Sequence, residues 1–143
     1  MVITQNKHAR AGFTLMEILI AVMIIGLVAA MVGPAAMNAY KNAQKRTAKA
    51  TMRSFKDAIG MYQMHLGHVP QSLKDLIKQP KDERDKKKWE GPYIEKEEVP
   101  EDPWNNPFVY KVTPGAKHPY ELYSRGPNGA DAPKEEWVNV WDE

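Results

Sequence analysis

The residue whose type and position most demand a chemical explanation is Glu17, a carboxylate set inside an apolar run. Residues 13–33 read FTLMEILIAVMIIGLVAAMVG, and only Thr14 and Glu17 are neither apolar nor glycine. A carboxylate in a bilayer core costs about 2.5–3.5 kcal/mol on insertion scales, so it normally has a partner. No other titratable group makes a comparable demand. The four histidines are His8, His65, His68 and His118. His65 and His68 stand three residues apart at a predicted helix end with no cysteine nearby, which makes a zinc pair the weaker reading of them. Ser124 lies in a predicted turn, not in a G-x-S-x-G elbow, and no glycine-rich phosphate loop is present. The chain has no cysteines, which excludes a disulfide framework and a thiolate metal site. Nothing in these residues supports catalysis.

The element that must hold Glu17 is the apolar run itself. As a helix it spans about 30 Å, enough to cross a bilayer core. Lys7, His8 and Arg10 precede it, and the positive-inside rule puts that end in the cytoplasm and the residues after 33 outside. A secretory signal peptide cut near Ala35 and Ala36 fits less well, because the run is longer than a signal core and contains Glu17. A plain anchor fits the hydropathy but leaves Glu17 unexplained. Pro34 follows Gly33, removing one backbone hydrogen bond and crowding the preceding turn, which predicts a kink or a locally melted stretch around residues 26–34.

The rest of the 143-residue chain has room for one modest domain. The net charge of +2 falls to near zero without Lys7 and Arg10, so no nucleic-acid partner is implied. The eleven prolines cluster almost entirely after residue 69, so a long unbroken helix is possible only before that point. Over residues 35–66, Tyr40, Ala43, Ala48, Met52, Phe55, Ile59, Tyr62 and Leu66 recur mostly at helical spacing and predict a packing face. Lys41, Lys45, Arg46, Lys49, Arg53 and Lys56 form a basic face against a single Asp57, which reads as a solvated surface or a contact with anionic lipid or an acidic neighbour. Gly67 and Pro70 mark the stop. Ser72 then caps a short helix with Asp75 placed as in a capping box, Leu73, Leu76 and Ile77 facing the core, and Pro80 ending it. The charged residues 81–90 read as an exposed loop. Residues 108–112 and 120–124 read as two short strands split by a turn at Pro114-Gly115. The expected fold class is α+β: a long N-terminal helix, half membrane and half amphipathic, with a small head of a short helix, loops and a small antiparallel sheet.

The string Gly12-Phe13-Thr14-Leu15-Met16-Glu17 resembles the type III signal of type IV pilins and type II secretion pseudopilins. The resemblance implies cleavage between Gly12 and Phe13 by a prepilin peptidase and N-methylation of Phe13. It also implies assembly roles for Glu17 and for Pro34, which match the family's glutamate and proline. Glu17 of one subunit would meet the Phe13 amine of a neighbour. The implied organisation is a leader over 1–12, a membrane and assembly helix over 13–34, an amphipathic helix over 35–66 and a periplasmic head over 67–143.

The string GPYI…VPEDPWNNPFVY, and Ser124-Arg125-Gly126-Pro127-Asn128-Gly129 after it, resemble the head of the major pseudopilin of type II secretion, the general secretion pathway protein G family. That resemblance implies a single-pass inner-membrane subunit that polymerises into a periplasmic filament for protein export. Its implied partners are further copies of itself, the prepilin peptidase, the inner-membrane assembly platform and minor pseudopilins. A type IV pilin for adhesion, motility or DNA uptake is the alternative within the superfamily, and a membrane-anchored periplasmic module that never polymerises is the alternative outside it. In the secretion branch the C-terminal loop binds Ca2+. The matching positions here are Leu122, Ser124, Asn128, Glu135 and Glu136. Oxygen ligands suit calcium, but all three side-chain positions depart from the family's aspartates. Asp131 is available as a replacement, and a turn with an acidic, solvated tail is the competing reading.

Overall fold

The computed structural model describes residues 12–142. The leader expected over 1–12 therefore lies outside the described residues except for Gly12. The chain divides into two compact units, one up to Tyr40 and one from Lys41 onward.

Helix α1, Leu15–Leu66, is 52 residues long. Thr14 starts it: the Glu17 N–H donates to Thr14 Oγ1 at 3.2 Å and lies 3.1 Å from the Thr14 carbonyl oxygen. A hydroxyl at that position supplies an acceptor for one of the four N–H groups that a helix start leaves unpaired. Gly67 ends the helix. Its φ of +87° is a left-handed conformation that glycine adopts without Cβ strain, and its N–H donates to the Gln63 carbonyl at 2.8 Å. Pro34 lies inside the helix, which runs through it unbroken, so the melted stretch expected around 26–34 is absent. Proline removes only one N–H donor, and Ala29, Ala30, Ala35 and Ala36 around it are the strongest helix formers.

In the first unit every described residue is exposed, including Ile18, Ile24, Leu27 and Val32. From Ala48 onward α1 instead buries Met52, Phe55, Ala58, Ile59, Tyr62 and Leu66. The packing face is thus shorter than its periodicity suggested, with Tyr40 and Ala43 exposed.

These residues form the head's core with Val69, Leu73, Leu76, Phe108, Tyr120, Leu122 and Val138. Phe55 meets Phe108 edge to face, centroids 5.3 Å apart. Leu73–Leu76 is a 3-10 turn rather than an α-helix, entered through an Asp75 carboxylate that accepts from the Ser72 N–H at 2.8 Å. Ile77 is only half-buried. Strand β1, Val109–Val112, pairs antiparallel with β2, Tyr120–Ser124, in the register Tyr110 opposite Leu122. A third strand, β3, Val138–Asn139, pairs with the other edge of β2 and places Val138 opposite Ser124. Two residues carry too little alternation to announce a strand, so β3 was not legible in the sequence.

The segment 81–90 is mostly exposed as expected, apart from part-buried Asp85 and Trp89, the latter packed against the core, and it is not wholly a loop. It contains helix α2, Glu83–Lys88, which buries none of its residues. Asp82 caps it, accepting from Arg84 N–H at 2.9 Å and Asp85 N–H at 3.4 Å. Acidic residues in its first turn and three lysines in its last complement the helix dipole. A charge-dense window with no apolar face hides these end signals from a periodicity reading.

His68 ties α2 to the end of α1. Its Nδ1 lies 3.0 Å from the Val69 carbonyl oxygen and its Nε2 lies 3.1 Å from Asp85 Oδ2. Both partners are acceptors, so only the doubly protonated ring satisfies both. The Val69 hydrogen bond raises the imidazole pKa above its usual 6.5 most strongly, burial works against it, and Asp85 adds to the rise. A raised folded-state pKa stabilises the head fully below about pH 6.5, and that contribution is lost as pH climbs through the folded value. The stability difference between wild type and His68→Gln should therefore shrink between about pH 6 and about pH 8. Urea unfolding across that range checks it, and a difference independent of pH would refute it.

Candidate functional site

Two regions carry the residues singled out above. The first is the start of the chain. Gly12, Phe13 and Thr14 are exposed and non-helical, and α1 begins at the next residue. A peptide bond must leave the helix to enter a peptidase cleft, because helical N–H and C=O groups are already paired. The Gly12-Phe13 bond meets that requirement, and the Thr14 cap holds the helix boundary just past it. Glu17 lies in the first turn of α1 and is exposed, with its backbone N–H taken by Thr14. The helix that carries it is long and apolar enough to cross a membrane, with none of its apolar window buried. Pro34 is on the same exposed stretch.

The second region is the C-terminal loop, built on a carboxylate that sequence reasoning missed. Asp102 is 3% exposed. Its Oδ1 accepts from the Trp104 N–H at 3.0 Å and the Asn106 N–H at 2.8 Å, and its Oδ2 accepts from Ser124 Oγ at 2.5 Å. Ser124 is fully buried and its Oγ also accepts from the Gly126 N–H at 3.0 Å. Asn106 extends the network by donating from Nδ2 to the Gly126 carbonyl at 3.1 Å. The hub thus joins the 102–106 turn to β2 and to the loop beyond it. Asp-Pro-Trp-Asn-Asn-Pro is an Asx-turn sequence, so the turn was legible; the tie to Ser124 was not, because it joins residues 22 apart in the chain.

After Ser124 the chain makes two 3-10 turns, Gly129–Asp131 and Lys134–Glu136, before β3. Gly129 has a φ of +55°, and a Cβ there would sit 3.0 Å from Asn106 Oδ1. Tyr123 and Trp137 stack with centroids 4.5 Å apart and planes 7° apart, and Trp137 Nε1 donates to the Ala132 carbonyl at 3.1 Å. Across the loop mouth Asn128 Nδ2 donates to Glu136 Oε2 at 2.7 Å.

Of the five positions that the resemblance assigns to calcium, Asn128 and Glu136 meet directly, and the others make the following contacts. The Leu122 carbonyl accepts from the Val140 N–H at 3.0 Å. The Ser124 hydroxyl is committed to Asp102 and Gly126. Asn128 turns its N–H, not its carbonyl oxygen, toward Glu136. Glu135 and Asp131 are exposed. Among the described residues no group of three or more His, Cys, Asp or Glu side chains could hold a metal ion. His65 and His68 likewise go separate ways: His65 Nδ1 lies 3.0 Å from the Tyr93 hydroxyl and its Nε2 3.5 Å from Glu90, while His68 faces Asp85. The basic face is partly used within the head, since Lys49 Nζ donates to the Asp142 carbonyl at 3.2 Å and Lys56 Nζ sits 4.3 Å over the Trp141 ring.

A long N-terminal helix carrying an exposed apolar stretch, followed by a small three-stranded head, is a pilin-like architecture. The major pseudopilin from the type 2 secretion system of enterohaemorrhagic Escherichia coli shares it, with a TM-score of 0.61 at 20% identity over 73% of this chain and 92% of that one. The family model for type II secretion system protein G matches residues 35–141, and that for the prokaryotic N-terminal methylation motif matches residues 7–33. The type II secretion system core protein G of Pseudomonas aeruginosa is 34% identical over 143 residues, covering 96% of this chain and 99% of its own length. The protein of the same name from Escherichia coli K12 is 34% identical over 133 residues, 90% and 89% of the two chains. The chain belongs to the type II secretion system protein G family.

The Asp102 hub has a measurable weight. Asp102→Ala should destabilise the head by about 2–3 kcal/mol, because it strands two part-buried backbone N–H groups and the buried Ser124 hydroxyl. Ser124→Ala should cost less, since Asp102 keeps its two backbone donors. Chemical unfolding of both variants provides the check; equal losses would mean that the Ser124 bond, not the turn, dominates.

Proposed function

We propose that this chain is a structural subunit of a type II secretion pseudopilus, cut between Gly12 and Phe13, N-methylated at Phe13 and polymerised through residues 13–34. The observation that carries the reading is the exposed apolar stretch of α1 with one carboxylate at the fifth residue past the cut. Such a surface must always be covered, by lipid before assembly and by the helices of neighbouring copies after it. The basic Lys7 and Arg10 support a cytoplasmic N-terminus with the head in the periplasm.

Glu17 supplies the register. Cleavage creates a positive amine at Phe13, and in low dielectric a carboxylate facing that amine on the next copy completes a pair. Half of such a pair left alone is strongly unfavourable. Bundled apolar helices alone slide with little cost, because their contacts are non-directional. One charge pair per subunit converts that sliding surface into one with a preferred stagger. Extraction from the membrane then needs an assembly platform and a separate cytoplasmic motor. The prepilin peptidase acts first, and minor pseudopilins are the expected companions of the filament. The name shared by the full-length relatives supports secretion rather than a surface pilus.

Glu17→Ala should still insert into the inner membrane and be processed, but its yield of filaments should fall severalfold or more. Membrane fractionation and sheared-filament assays read the two steps separately, and a normal filament yield from the variant would sink the proposal. Intact-mass analysis of the membrane-extracted protein should find a chain starting at methylated Phe13. An uncut chain would indicate a simple anchor.

A further inference from the structure

We propose that the C-terminal loop of this chain is closed by a direct Asn128–Glu136 latch in place of a bound cation, so that the head folds independently of calcium. The latch joins the start of one 3-10 turn to the end of the next, Nδ2 donating to Oε2 at 2.7 Å. A neutral amide and a carboxylate attract each other at that distance without a metal, whereas two ionised carboxylates there repel unless a cation or a shared proton lies between them. The chemistry of the pair therefore decides what closes the loop. To ligate calcium, Asn128 would have to rotate its carbonyl inward and abandon its bond to Glu136.

The surrounding contacts are already satisfied by protein groups. The Asn128 carbonyl accepts from the Asp131 N–H at 3.2 Å, and the Glu136 N–H donates to the Pro133 carbonyl at 3.0 Å. The Tyr123–Trp137 stack, the Trp137 indole bond to Ala132 and the pairing of β3 with β2 hold the far side. Glu135 and Asp131, the remaining acids of the loop, are exposed and outside the latch. A closed loop keeps β3 on the sheet, and β3 brings Val138, opposite Ser124, into the core.

The test is thermal unfolding of the full chain in detergent micelles, followed by tryptophan fluorescence, in millimolar calcium, in the same concentration of magnesium and in chelator. Wild type should melt at one temperature in all three. Asn128→Ala should melt lower by about 4 °C or more, by the same amount in each. Asn128→Asp should melt lower than wild type in chelator, where it faces Glu136 with like charge, and recover selectively in calcium. Glu136→Gln, whose amide oxygen still accepts from Asn128, should stay close to wild type. A saturable rise of the wild-type melting temperature specific to calcium would overturn the proposal, as would an Asn128→Ala protein that melts like wild type in chelator. The readout is head stability alone, so its outcome is separate from that of the filament assays.

Discussion

An apolar helical surface that no other described residue covers is the constraint around which this protein is organised. The residues of α1 up to Tyr40 are exposed along all sides of the helix. The hydrophobic effect scales with apolar area left in water, so such a helix is never at rest in solvent. Lipid and neighbouring helices are the two environments that satisfy it. A surface that accepts either one equally gives no order to the product. In the proposed assembly Glu17 would break that equivalence, because a carboxylate is tolerated poorly by lipid and well by an opposite charge.

The head solves a different problem with the same helix. From Ala48 onward α1 becomes the floor of a small core, and the short sheet covers it through Phe108, Tyr120, Leu122 and Val138. Short strands and 3-10 turns leave many backbone groups to be paired by side chains. Asp102 does this for its own turn and, through Ser124, for the end of β2. Trp137 does it for the last loop. A head of this size gains specificity from a few buried polar ties as much as from apolar area.

The long helix was legible because its signals are local: an unbroken apolar run, then apolar residues at helical spacing, then Gly67. The helix continues through Pro34 without melting, because the alanines on either side offset the penalty of one proline. The helix over Glu83–Lys88 was missed, since its evidence lies in capping and charge order rather than in periodicity. The calcium positions were read from resemblance, which aligns residues but not the direction in which an amide faces. The orientation of Asn128 toward Glu136 is a property of the folded loop.

What the sequence by itself determined is what depends on neighbours along the chain: the long apolar helix, its stop at Gly67, the placement of Glu17 as the fifth residue after the Gly12-Phe13 bond, and the two main strands. Only the tertiary structure decided which polar groups meet across it. Asp102 reaches Ser124 over 22 residues and Lys49 reaches the Asp142 carbonyl over 93, and β3 exists only because β2 offers it an edge. The physical reason is that helix and strand propensities act over a few residues, whereas the partner of a buried polar group is chosen by whatever the packed core brings within hydrogen-bonding distance.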